Sequence, residues 1–399
     1  MGGIFKMIKK LKKIERRDII GIYKFLIVLI PSVFYKLYLK ICHKELWLIC
    51  ERENMARDNG CIFYKFLKEN HPEIKSYYAI DLSCNDYQKV KKYGNIIGWA
   101  SLKHYYIYMS ATRNVSSHKE GNPNHPLFSF LHLYLHLYNN RVFLQHGVLY
   151  QNFTMFYKKN TNFKIFITGA KDEYDFVKAN FGYKNEVKYT GLARFDNLYN
   201  YKKDDKIILL IPTWRRWLNT KDDFVESEYY KKLYSLINSK KLEKLLEKYD
   251  KYLYFYPHLS TQKFISCYKT DSGRVKVLSA NNTNIQDLLK KGSLLITDFS
   301  SIFTDFAYMH KPIIYYQYDE NEFHKKHCGN EKSYFNFKKD GFGKVVNTED
   351  ELLKQLNFYI QNDYKEEEIY KKRIDNFFIL HDRNNCERIY NSIMGDKSE

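Results

Sequence analysis

Short apolar runs, separated by polar stretches of helical length, recur along the chain from residue 45 onward. Six fall early, at 46–50, 77–82, 95–100, 106–111, 141–147 and 164–170, and five follow, at 206–214, 252–258, 275–279, 293–298 and 311–316. Runs too short for helices that alternate with helix-sized segments predict buried parallel strands in α/β layers. The polar segment 197–205 separates the two series and reads as a linker. The expected fold is therefore α/β, with two Rossmann-like halves at 45–196 and 206–362 and a cleft between them. In such sheets ligands bind beyond the carboxyl ends of the strands, so the residues just after each run are the ones to inspect.

The first 44 residues break this pattern. A basic run (Lys6, Lys9, Lys10, Lys12, Lys13, Arg16, Arg17) precedes the apolar stretch 19–34, and Lys36 and Lys40 follow it. No small-residue cleavage site comes after it, as a signal peptide would require. The stretch falls short of the roughly 20 residues of a spanning helix, and Lys24 and Pro31 interrupt it. A helix lying in the bilayer interface, basic residues toward anionic headgroups, is the expectation, and a buried core helix is the alternative.

Length and composition agree with this plan. The 399 residues suit two domains, and 44% hydrophobic residues with 37 Tyr and 28 Phe supply two packed cores, which excludes global disorder. A net charge of +19 fits an anionic membrane, a polyphosphate substrate or nucleic acid alike. Seven widely spaced cysteines without a CxxC pair read as reduced cytoplasmic thiols.

Four segments at run ends carry candidate chemistry. Gln145-His146-Gly147 offers a His followed by a Gly that lets the backbone turn or approach a ligand. Thr213-Trp214-Arg215-Arg216 brings two guanidinium forks suited to phosphate. His258 leaves a run of the second series, as His146 does in the first, so the two are expected to face each other. Thr297-Asp298-Phe299-Ser300-Ser301 leads into a helix through Asp305, and hydroxyls with free N–H groups at a helix start suit an anion. No metal is expected: His132 with His136, and His324 with His327 and Cys328, lack a carboxylate-rich constellation.

Taken in order, and joined by Arg57-Asp58-Asn59-Gly60, Gly191-Leu192-Ala193-Arg194-Phe195-Asp196 and the 284–289 segment, these motifs resemble the CDP-glycerol glycerophosphotransferase family of teichoic acid and capsule polymerases. The resemblance runs from about residue 46 to 343. It implies a GT-B fold with the acceptor on the first half, the CDP-alcohol on the second, and C-terminal helices (363–399) packing back on the first half. It also implies His146 as catalytic base and His258 as the second catalytic residue. Arg194, Thr213, Arg215, Arg216, Thr297, Asp298, Ser300, Ser301 and Asp305 become donor or phosphate contacts, and Asp58, Asn59, Gln145 and Gly147 acceptor-side residues. Two departures stand out: family members often carry Trp-His-Gly-Thr-Pro where this chain has Gln145 to Leu149, and Pro where Ala193 stands.

The implied partners are CDP-glycerol or CDP-ribitol, an anionic phosphopolyol or lipid-linked saccharide acceptor, and the cytoplasmic face of a bacterial membrane, with no cofactor and no nucleic acid. A nucleotide-sugar GT-B glycosyltransferase is the nearest rival. A basic nucleic-acid-binding protein lacks any recognised motif here, and a membrane scaffold leaves the paired His and Arg residues without a task.

Overall fold

The computed structural model describes residues 16–199, 201–328 and 333–396, so the basic residues from Lys6 to Lys13 lie outside it. Two all-parallel sheets form the frame. The first runs β3-β2-β1-β4-β5-β6-β7, from β1 (Leu46–Cys50), β2 (Lys75–Ile80), β3 (Ile96–Gly98), β4 (Arg113–Ser116), β5 (Arg141–Phe143), β6 (Ile165–Thr168) and β7 (Val187–Tyr189). The second runs β10-β9-β8-β11-β12-β13, from β8 (Ile207–Leu210), β9 (Tyr252–Phe255), β10 (Val275–Val277), β11 (Leu294–Thr297), β12 (Ile313–Tyr316) and β13 (Gly343–Val346). This is the expected GT-B-like pair of α/β halves. The helices that bear on the site are α1 (Arg16–Ile41), α2 (Asn59–Asn70), α3 (Leu102–Ser110), α4 (His125–Leu133), α5 (Lys171–Asn180), α6 (Ile302–Tyr308) and α7 (Asn385–Gly395).

Strand order locates the cleft. In the first sheet the winding reverses between β1 and β4, and in the second between β8 and β11. Crossover connections leave in opposite directions at such a switch point and open a crevice at the carboxyl ends of the strands. The segments after β1, β4, β8 and β11 contain Asp58, His118, Thr213 and Asp298.

One expected strand is a helix. The run at 106–111 lies mostly within α3, whose N-cap Ser101 accepts from the N–H of His104. Buried between the first sheet and α1, α3 is apolar on nearly every side, which gives it the pattern of a buried strand. The true strand, β4, reads Arg-Asn-Val-Ser and is fully buried despite its polarity. Most of its side-chain donors are matched: the Asn114 amide donates to Tyr108 O and Asn140 Oδ1, and Arg113 donates to Thr112 O and Asp396 O, while Asn114 Oδ1 and Arg113 Nε have no partner among the described residues. The edge strands β7 and β13 carried no clear apolar run and also escaped the sequence pattern.

The helix α1 runs unbroken through Lys24 and Pro31 for 26 residues, about 39 Å at the usual rise. It is long and apolar enough to cross a membrane. It is not a core helix: Gly21, Val28, Ser32 and Leu39 are buried against the first half, whereas Tyr23, Ile30, Phe34 and Ile41 are each about two-thirds exposed. At Gly21 a Cβ would come within 2.2 Å of Asn124 Nδ2 and 2.4 Å of Tyr105 Oη, so only glycine lets α1 sit this close.

One of the apolar clusters spans both halves, joining Val148, Tyr150 and Phe195 to Phe299, Phe303 and Tyr308. The C-terminal α7 packs on the first half through the Gly191 segment. Asp196 accepts from the N–H groups of Asn385 and Cys386 at 3.0 and 2.8 Å, and Gly191, at φ +80°, leaves room for the Asn385 side chain.

Candidate active site

The first wall of the cleft is built around Glu51, fully buried at the end of β1. Its carboxylate accepts from the N–H groups of Arg57, Asp58 and Cys61 at 3.0, 3.0 and 2.7 Å, which folds the loop back onto the start of α2. Burial, then the neighbouring Asp58, pushes its pKa up to about 7. Asp58 caps α2 by accepting from the N–H of Asn59. Burial alone would raise Asp58, but the charge of Arg194, followed by His118 and His146, outweighs it and holds the carboxyl below its ordinary range. Asn59, expected to face an acceptor, is fully buried: its amide donates to Gln145 O at 2.8 Å and its Oδ1 accepts from Arg194 N at 2.9 Å.

His146 is presented by a strained turn. Gln145 adopts φ +61°, a left-handed conformation that costs a non-glycine residue roughly 1 kcal/mol. Its side chain, also expected on the acceptor side, turns away into the core, where Nε2 donates to Ile167 O and to Glu173 Oε1 on α5. Glu173 also accepts from Leu149 N and Gly169 N, each at 2.6 Å, and burial raises its pKa to about 7. This buried clamp fixes residues 145–149 and leaves the His146 ring open to the cleft. Protein surrounds that ring closely enough for desolvation to lower its pKa; Asp58 opposes the shift, and Arg194 and Arg52 add to it.

Beneath His146 lies His118, a residue the sequence pattern missed because β4 was not recognised. The two rings stack with centroids 5.2 Å apart and planes 9° apart. His118 is 5% exposed, its Nδ1 is buried with no partner among the described residues, and desolvation followed by the His146 charge lowers its pKa to about 3. Both imidazoles are therefore neutral at physiological pH, and His146 can take a proton.

Arg194 ties the halves together. It donates to Asp58 Oδ1 at 2.9 Å and His146 O at 2.6 Å on one side, and to both Asp305 oxygens, each at 2.7 Å, on α6 of the other. Both Arg194 and Asp305 were expected at the donor; both are nearly buried, and their charged groups are spent on each other. Gly147 completes the approach: a Cβ there would stand 3.1 Å from Ser301 Oγ.

On the second wall Arg215, expected on phosphate, has no exposed surface. It donates to Asp319 at 2.7 and 2.8 Å, Asp298 at 2.8 Å and Thr213 O at 2.7 Å, and its fork packs on Tyr229 and Phe323. Asp298 spends its other oxygen on the N–H groups of Thr213 and Phe299, and the Thr297 hydroxyl donates to Ile211 O. These residues shape the loops after β8 and β11 rather than the open surface. Arg216 remains exposed, with its backbone N–H on His327 Nδ1. His258 stacks on Trp214 at 6.1 Å and accepts from Ser260 N; desolvation takes its pKa down to about 4, with Arg52 and His146 adding by charge. Thr213 Oγ1 is buried without a partner among the described residues. Ser300 and Ser301 are half-buried before α6, and no side chain caps that helix.

The cleft thus gathers His146, His118, Asp58, Gly147 and Ser301 at its centre, with Arg216, His258, Thr213 and Ser300 on the second wall. Glu51, Glu173, Asp319 and Arg52 were also absent from the sequence reading. Among the described residues no three His, Cys, Asp or Glu side chains converge as a metal site, and both ring nitrogens of His132 are occupied, by Tyr108 Oη and Leu137 O.

Comparison with known proteins meets this geometry. Residues 32–395 match the family described as CDP-Glycerol:Poly(glycerophosphate) glycerophosphotransferase. The minor teichoic acid biosynthesis protein GgaB of Bacillus subtilis (strain 168) is 33% identical over 366 residues, covering 88% of this chain and 40% of that protein. The teichoic acid poly(glycerol phosphate) polymerase of the same strain is 25% identical over 376 residues, covering 84% and 46%. The chain therefore spans less than half the length of these relatives. Among solved structures, the wall teichoic acid polymerase TagF superposes with a TM-score of 0.66 at 16% identity, covering 96% of this chain and 98% of that one, a likeness of fold.

Proposed function

The chain belongs to the CDP-glycerol:poly(glycerophosphate) glycerophosphotransferase family, and from that membership we propose that it transfers glycerol phosphate from CDP-glycerol to a hydroxyl of a teichoic acid acceptor, releasing CMP. The observation that carries this reading is His146: a neutral imidazole open to the cleft, presented by a strained turn and flanked by the Asp58–Arg194–Asp305 bridge that joins the halves.

In the proposed reaction the acceptor hydroxyl attacks the β-phosphorus of CDP-glycerol while His146 takes the hydroxyl proton. The new P–O bond forms as the bond from the β-phosphorus to the bridging oxygen breaks, and CMP leaves with that oxygen. A base with a pKa below neutrality is fully competent at pH 7, and Asp58 favours the imidazolium as it forms. Arg216, His258, Thr213, Ser300 and Ser301 hold the diphosphate and offset charge on the departing CMP. Arg194, Arg215, Asp298, Thr297 and Asp305 act one step removed, by holding the loops that carry those groups.

The apolar outer face of α1 supports peripheral attachment to the cytoplasmic side of the cell membrane. Exposed Phe130 on α4, with Tyr134, Leu135 and Leu137 after it, adds apolar surface on the same half.

The test is CMP release by purified protein given CDP-glycerol, CDP-ribitol or a nucleotide sugar, each with phosphopolyol and lipid-linked saccharide acceptors. CMP release with CDP-glycerol, abolished in a folded His146→Ala protein, is the expected result. Release with CDP-ribitol alone would name the other polyol, and turnover of the nucleotide sugar alone would overturn the reading.

A further inference from the structure

A cavity of about 440 Å³ lies between the first turns of α1 and the strand ends of the first half, outside the cleft just described. Its floor is the loops after β1, β3 and β4, which contribute Arg52 and Glu53, Trp99, and Glu120 and Asn122. Two links join it to the reaction centre. The loop after β4 carries His118 and, two residues on, Glu120. The charges of Arg52 and Glu120, both at the cavity wall, reach the His146 ring.

Four of the side chains here have polar groups left open. Among the described residues the Arg52 guanidinium, the Glu53 carboxylate and the Trp99 indole N–H have no hydrogen-bond partner, although Arg52 and Glu53 stand next to a fully buried carboxylate that has three. Asn122 is 97% buried by its 3% exposure; its Oδ1 accepts from Asn124 N, and its amide N–H groups have no partner. Asn122 brings a buried side-chain amide to the cavity while Arg52 and Glu53 stand exposed at its rim, and donors and acceptors left open beside a half-buried indole suit a ligand that supplies the complement.

Charge narrows the ligand class. Arg17, Lys24 and Arg52 are balanced by Asp18, Glu53 and Glu120, so a compact anion gains no net attraction here. A neutral polyhydroxylated ring uses such a wall fully: vicinal hydroxyls donate to a carboxylate and accept from guanidinium and amide, and an apolar ring face lies on indole. The cavity volume suits one or two sugar rings, within the range of small-ligand sites.

We propose that this cavity is a saccharide subsite for the acceptor, holding the sugar of a lipid-linked acceptor against Trp99, Glu53, Arg52 and Asn122. The apolar face of α1 takes the lipid-bearing side, and the chain end to be extended points to His146. The acceptor role rests on the glycerophosphate-transfer reading; saccharide binding does not.

Two measurements separate these. Saturation-transfer NMR with a methyl N-acetylhexosaminide at millimolar concentration is expected to show ring-proton contacts with the full-length protein, lost in Trp99→Ala and in Glu53→Ala. No contact with the unaltered protein, or contacts that survive both substitutions with melting temperatures unchanged, would overturn the subsite. In transfer assays either variant should raise KM for a saccharide-linked acceptor about tenfold, the equivalent of one good hydrogen-bonded contact. KM for CDP-glycerol and turnover of a sugar-free glycerol phosphate oligomer should hold. Equal loss with both acceptors would overturn the acceptor role, whereas silence with every acceptor would count against the transfer reading and leave the NMR result to decide the subsite.

Discussion

The ring of His118 stacks on that of His146 with centroids 5.2 Å apart and planes 9° from parallel, buried in the wall of the cleft beneath the exposed ring. Under the proposed role of His146 as the base, a neutral ring stacked beneath it fixes its orientation and offers a π-face when it becomes a cation. His118→Phe should keep the stack and most of kcat, whereas His118→Ala should lower kcat roughly tenfold or more with little change in KM, since a tilted base loses near-attack geometry. Steady-state kinetics beside thermal melting tests this; an equal loss in both variants would point to the orphaned Nδ1 instead of the stack.

The acid limb of kcat/KM should lie below pH 6.5, because desolvation lowers the His146 pKa from its ordinary value. Asp58 pulls that pKa upward, so Asp58→Asn, which can retain the helix cap, should move the limb to still lower pH. A pH–rate profile in which the limb rises in the variant would contradict the arrangement.

Gln145 sits at φ +61°. Gln145→Gly relieves backbone strain while losing the side-chain contact to Glu173, and Gln145→Ala loses the contact with no relief. The Gly variant should therefore be the more stable by about 1 kcal/mol, measured by chemical denaturation.

Cutting the bridge between the halves should be costly. Arg194→Ala leaves Asp305 and Asp58 facing each other in a buried site, and loss of one partner of a buried ion pair costs about 3–5 kcal/mol. A double Arg194→Met, Asp305→Leu protein should recover part of that stability but no activity, as calorimetry and CMP release would show.

Glu173 has a folded pKa raised to about 7, above its unfolded value. Its contribution to stability is complete below the unfolded pKa, near 4.3, and is lost as pH rises through the folded pKa. Glu173→Gln should therefore flatten the decline in stability between about pH 4.3 and 7, measurable as a melting temperature that changes less with pH across that window.

Charges placed on the outer face of α1, as in Ile30→Glu with Phe34→Glu, should abolish co-sedimentation with anionic vesicles and leave the melting temperature unchanged. Both positions are about two-thirds exposed, so nothing in the fold depends on them.

Much of this protein was legible in one dimension. Alternating apolar runs announced two parallel α/β layers, because strands covered on both faces must be apolar throughout, and ten of the thirteen strands fall where such runs stand. One exception, β4, is instructive. A helix buried on nearly all sides, α3, carried a strand's pattern, while β4 could be polar because Tyr108, Asn140 and Asp396 accept from most of its side-chain donors. With β4 hidden, His118 was hidden too.

The ordered motifs resolved the family and brought His146 and Asp58 forward. What sequence could not decide was how each charged side chain is used. Arg194 and Arg215 look like phosphate forks on paper. In the fold each meets two carboxylates, Asp58 and Asp305, or Asp298 and Asp319, from segments about 80 to 140 residues away, as the 136, 111, 83 and 104 residue separations record. A buried guanidinium must find its counter-charges wherever the chain brings them, and that is a property of tertiary packing. Local pattern determined the elements and the residue types at their ends; only the folded chain decided which of those residues remain open to a ligand and which hold the others in place.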